Sequence, residues 1–82
     1  MSTRLRPEWI VVSSVQNVEG DRCVDVFRRP NRTFGFEEFR RDPEDGGAWT
    51  PLHHYSATEY ADLPAADAAA RRCVVWLARM TN

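Results

Sequence analysis

The stretch that decides the fold is RCVDVFRRPNRTFGFEEFRR, Arg22 to Arg41. Val24 and Val26 share one parity before the break Pro30-Asn31-Arg32, and Phe34 and Phe36 share one after it, the period-two pattern of half-buried strands. A three-residue loop at 30–32 makes this a β-hairpin with Val26 opposite Phe36, so the two pairs lie on one sheet face. On the reverse face the same register sets Cys23 near Phe39 and Phe27 near Gly35, whereas a two-residue loop would shift every pairing. Both faces of the hairpin carry apolar groups.

Working outward, Glu19-Gly20-Asp21 and Asp42-Pro43-Glu44-Asp45-Gly46-Gly47 have the residue types of hairpin loops. They divide the first two-thirds of the chain into four runs, 8–18, 22–29, 33–41 and 48–55, read as an antiparallel meander. Pro51 removes a ladder donor and so belongs on an edge strand, which is where a meander places the fourth run. At the opposite edge, Trp9-Ile10-Val11-Val12-Ser13-Ser14-Val15 has neither a charge nor a proline to discourage pairing with another chain.

The last third changes period. Ala66, Ala69, Ala70, Cys73, Trp76, Leu77 and Met80 recur at three- and four-residue steps, predicting an amphipathic helix over 64–80. Pro64 suits its first turn, Asp67 its positive end and Arg79 its negative end. Ser56-Ala57-Thr58-Glu59 matches a capping box and allows a separate short turn before it. A helix of this length spans about 25 Å at ~1.5 Å per residue, enough to cover one face of the sheet. The fold class expected is α+β: a four-stranded antiparallel meander followed by one C-terminal helix. The other face, with Phe27 and Phe39, is left to water, a partner or a second copy.

Composition sets the outer bounds. The chain has 82 residues, eleven of them Arg and none Lys, against twelve Asp and Glu, for a net charge of −1. That length makes one domain with a thin core, burying roughly 60–65% of its unfolded surface, and excludes a large multi-step enzyme. The near-zero charge counts against a generic nucleic-acid or anionic-membrane binder. No apolar run approaches the ~20 residues of a membrane helix, and Trp9 to Val12 is too short for a signal-peptide core. A cytoplasmic protein is expected, with Cys23 and Cys73, fifty residues apart, as buried thiols.

The block GFEEFRRDPEDGG, Gly35 to Gly47, resembles one found in small bacterial proteins of no assigned activity. The resemblance implies a compact stand-alone meander-plus-helix domain. The order of four strands and then a helix also resembles the PC4-like single-stranded DNA-binding fold. That likeness is of topology, without the Lys-rich character of that family.

Two functional readings follow. In the first, the chain is a binding or assembly module that homodimerises, through the first-strand edge at Trp9, Ile10 and Val12 or the face carrying Phe27 and Phe39. In the second, Arg28, Arg29, Arg32, Arg40 and Arg41 contact the phosphates of a single-stranded nucleic acid while Trp49 or Tyr55 stacks on bases. Asp25, Glu37, Glu38, Asp42, Glu44 and Asp45 are interleaved with those arginines and able to neutralise them in cross-strand pairs. Catalysis finds little footing. His53 and His54 are adjacent on a strand and point to opposite faces, as do Glu37 and Glu38, so neither pair forms a ready metal or acid-base site. Nothing in the spacing joins Cys23 or Cys73 to a histidine, and no cofactor is called for.

Overall fold

The computed structural model describes residues 6–42, 44 and 46–80. Strands β1 (Ile10–Gln16), β2 (Arg22–Arg28), β3 (Phe34–Arg41) and β4 (Trp49–Pro51) form one antiparallel sheet in chain order, followed by helices α1 (Leu63–Cys73) and α2 (Val75–Met80). This is the α+β meander that the alternation and the change of period predict.

The central hairpin has the register of a three-residue loop. Val26 pairs with Phe36, Cys23 with Phe39 and Phe27 with Gly35. Arg29 N–H donates to Thr33 O at 2.8 Å across its mouth, and Arg32 takes φ +70°, the left-handed turn that ends such a loop. In the break before β4, Gly46 and Gly47 both have positive φ, while Pro43 and Asp45 lie outside the described residues.

Two elements depart from expectation. The fourth strand was expected over 48–55 but spans Trp49–Pro51 alone. Leu52 N–H still reaches Glu38 O at 2.9 Å, after which His53, at φ +59°, turns the chain out of the ladder. The segment then runs beside β3 as a loop and returns at Tyr60, whose N–H and C=O both bond Phe34. The second departure is in the helix, which breaks at Val74. This residue is extended (φ −105°, ψ 105°) and caps α1 by donating its N–H to Ala70 O. The break lets both Val74 and Leu77 reach the core, and Cys73, expected inside, is exposed. Asp62 caps the start of α1 by accepting from Ala65 N–H at 2.8 Å.

The main core lies between the sheet and the helices: Val24, Val26 and Phe36 against Ala66, Ala69, Ala70, Val74 and Leu77. The alanines permit close approach of α1 to β2 and β3, and Trp76 closes the far end by donating Nε1–H to Glu38 at 2.8 Å. The reverse face is not the open apolar surface expected of it. Phe27 and Phe39 are each only 2% exposed, because Trp9 folds back onto Phe27 and Trp49 packs with Cys23 and Phe39.

Candidate functional site

The reverse face is organised by two buried charged side chains. Glu37, 0% exposed, accepts from four main-chain N–H groups, those of Glu38, His54, Tyr55 and Ser56, at 2.9–3.1 Å. Arg29 completes the clamp from the donor side. One terminal nitrogen donates to Ser56 O at 2.6 Å and Thr58 O at 3.3 Å, and the other donates to Phe34 O at 3.0 Å. Its guanidinium lies 4.6 Å from the Trp9 ring centroid and 5.0 Å from that of Phe27, while the two rings stack at 4.7 Å. Burial pulls the Arg29 guanidinium down from its ordinary range, opposed by the charge of Glu59, yet an arginine keeps its proton there. Gly35 makes the stack fit: a Cβ at that position would stand 2.7 Å from an Arg29 nitrogen and 2.8 Å from the Phe27 ring.

The five strand arginines do not share one surface. Pairing and alternation put Arg28 and Arg40 on the face that bears the helices, whereas Arg29 and Arg41 belong to the reverse face, and Arg32 sits in the hairpin loop. Arg41 lies 4.5 Å from the Trp49 ring centroid and donates to Gly20 O at 2.6 Å. Arg29 and Arg41 are thus engaged by carbonyls and aromatic rings rather than by the cross-strand carboxylates. The ion pairs among the described residues are Arg22–Glu38 at 3.7 Å and Arg71–Asp67 at 3.0 Å. The aromatics expected to stack on bases are also engaged, with Trp49 buried beneath Arg41 and Tyr55 stacked on Phe36 at 4.9 Å.

The thiols and histidines do not assemble a reactive site. Cys23 contacts Ser14 Oγ at 3.3 Å and donates to Asp25 at 3.2 Å, while Ser14 also donates to Asp25 at 2.6 Å. Burial pushes the Cys23 thiol up to about 11, opposite to the shift a nucleophilic cysteine needs. His53 and His54 are exposed on the turn that ends β4, and no cluster of metal-ligating side chains occurs among the described residues.

What the fold leaves unfilled is the outer side of β1. The loop 52–60 and β4 cover the far edge of β3, but β1 pairs only with β2 among the described residues. Asn17 N–H donates to Arg22 O, so by antiparallel alternation Val15 and Ser13 turn their main-chain groups toward β2, and those of Ser14 and Gln16 face outward. A β-bulge between Val11 and Ser13 bends the strand, and Ile10 and Val12 stand 48% and 42% exposed. Trp9, expected at this edge, is instead committed to the Phe27 stack.

Ile10, Arg28 and Phe34 form one cross-strand row at the hairpin end of this edge. Together with Pro30, Arg32 and Glu8 they line an open groove of about 560 Å³, two cations against one carboxylate once Arg29 is spent on the loop. Neither Phe34 nor Glu37 was singled out in the sequence for what it does here.

No protein-family model, no curated protein and no solved structure matches this chain. Among the described residues no helix is long and apolar enough to cross a membrane.

Proposed function

We propose that this protein is a small assembly module that homodimerises by antiparallel pairing of β1 with β1 of a second copy, giving a continuous eight-stranded sheet. The observation that carries the reading is the asymmetry of the two edges. The β3–β4 side is sealed by a loop tied down through Glu37 and Arg29, whereas β1 presents an uncharged strand with outward main-chain groups and two exposed aliphatic side chains. A two-fold axis perpendicular to the sheet makes such edge pairing antiparallel and self-complementary. Nucleic-acid binding has less support, because Arg29 and Arg41 are engaged by carbonyls and rings, Arg28 and Arg40 lie on the opposite face from them, and Trp49 and Tyr55 are packed against other side chains.

Sedimentation equilibrium from micromolar to millimolar protein tests the reading. Wild type should populate a dimer, and Val12→Lys, which places a charge on the free edge at an exposed position, should shift the protein to monomer while leaving its circular dichroism unchanged. A wild type that stays monomeric throughout, or that binds single-stranded oligonucleotide with a steep salt dependence in place of self-association, overturns it.

A further inference from the structure

We infer that the groove at Ile10, Arg28 and Arg32 is the receptor for the β1–β2 turn of the second copy, with Glu19 of that copy as the charged anchor and Val18 as the apolar one. The inference rests on the edge-pairing reading and specifies its register and its electrostatics.

The outward groups fix the register. On the C-terminal side of the bulge, Ser14 and Gln16 are the positions on β1 whose main-chain donors and acceptors face away from β2. Opposing Ser14 with Gln16 of the second copy, and Gln16 with Ser14, exchanges two hydrogen bonds at each pair around a central Val15–Val15 contact. Any such antiparallel register carries the turn that follows β1 to the N-terminal end of the other β1. In this one, Val18 of the second copy comes opposite Val12, and Glu19-Gly20 comes beside Val11 and Ile10, at the mouth of the groove.

The turn has the properties of an occupant. Val18 is 91% exposed, the most exposed of the large hydrophobic side chains among the described residues, in a loop whose other residues are polar or glycine. Opposing it to Val12 removes two isolated aliphatic groups from water in the same contact. Glu19 is exposed and joins no ion pair among the described residues, whereas its neighbour Asp21 is already bound to Asn17 at 2.7 Å. Arg28 and Arg32 are exposed and likewise join no ion pair among the described residues. An acidic turn thus meets a groove with an excess of positive charge, and two-fold symmetry makes the contact twice per dimer.

Charge reversal with rescue tests this on the full chain. Arg28→Glu and Glu19→Arg, both at exposed positions, should each weaken dimerisation by roughly tenfold or more at low salt, as reversing one charge of a complementary interface does. The double variant, with both charges exchanged, should recover to within about threefold of wild type. Thermal melts monitored at low protein concentration verify that each variant folds. If wild type dimerises and Val12→Lys breaks the dimer, but Arg28→Glu leaves the dissociation constant unchanged, the groove inference falls and edge pairing stands. If both single variants weaken the dimer and the double variant is no better than the worse of them, Glu19 and Arg28 are not partners and the inference is overturned. If wild type is monomeric, edge pairing and the inference fall together.

Discussion

At the scale of single residues, the reverse face depends on one missing methyl group. Gly35 has no strained backbone angle to justify it; it is there because Arg29 and Phe27 occupy the space above it. In Gly35→Ala neither neighbour has room to give: the Arg29 guanidinium is held by Ser56 O, Thr58 O and Phe34 O, and the Phe27 ring is pinned beneath Trp9. Alanine in a strand recovers about 0.5–1 kcal/mol of backbone entropy, while overpacking costs about 1–3 kcal/mol, so the sum is a loss. We expect Gly35→Ala to lower the urea midpoint and to blue- or red-shift Trp9 emission as its stack is displaced; an unchanged midpoint and spectrum would refute the cradle. Cys23 supplies a second test. Its thiol is held protonated to about pH 11 in the fold, against an ordinary value of 9.0, first by burial and then by Asp25, with Ser14 and Arg41 opposing. A neutral group favoured in the folded state contributes stability that is complete below pH 9 and is lost as the unfolded chain ionises between 9 and 11. That loss is roughly 2–3 kcal/mol, and it should be absent from Cys23→Ala when unfolding free energies are compared across that interval.

At the scale of elements, the sequence made legible what local periodicity controls. The hairpin register was legible only up to the choice between a two- and a three-residue loop; the three-residue loop at 30–32 sets Val26 on Phe36, on the face that the helices cover. The ends of β4 and the continuity of the helix were not legible, because long-range contacts decide them. Leu52 to Tyr55 has a strand-like composition, but Glu37 offers the main-chain N–H groups of His54, Tyr55 and Ser56 a buried carboxylate, and these three charge-assisted bonds outweigh an edge ladder. In the helix, the heptad-like spacing put Cys73 inside; the sheet instead takes Val74, and a single extended residue rephases α2 so that Leu77 follows it. The same cause explains the candidate site. The uncharged first strand was readable as an edge, whereas the consumption of Arg29 depended on where the loop 52–60 came to rest, and that of Arg41 on the β1–β2 turn at Gly20 and on Trp49 of β4. Intrastrand spacing alone suggested carboxylate partners for both.

At the scale of the whole molecule, the question is whether the second copy is needed for folding or is added to a folded chain. The accessible surface of the chain is 5358 Å². A folded monomer of 9.5 kDa is expected to expose about 5,000 Å², so the single chain is already nearly as closed as a stable monomer, its reverse face covered by Trp9 and Trp49. The proposed association through β1 would then be an equilibrium between folded partners, to which mass action gives a thermal signature. Above the dissociation constant, melting couples to dissociation, and each tenfold rise in concentration adds about 1.4 kcal/mol per dimer. For a domain of this size that raises Tm by roughly 3–5 °C per decade. Below the dissociation constant the monomer melts on its own and Tm becomes flat. We therefore expect wild type to show a Tm that is level at low concentration and climbs at high concentration. Val12→Lys should stay on the level branch throughout, with a Tm matching that of dilute wild type, since its side chain is exposed in the monomer. A wild-type Tm that climbs without a plateau down to the lowest concentrations would mean that the monomer does not fold alone, and a Val12→Lys melt well below the wild-type plateau would mean that this edge position supports the monomer itself.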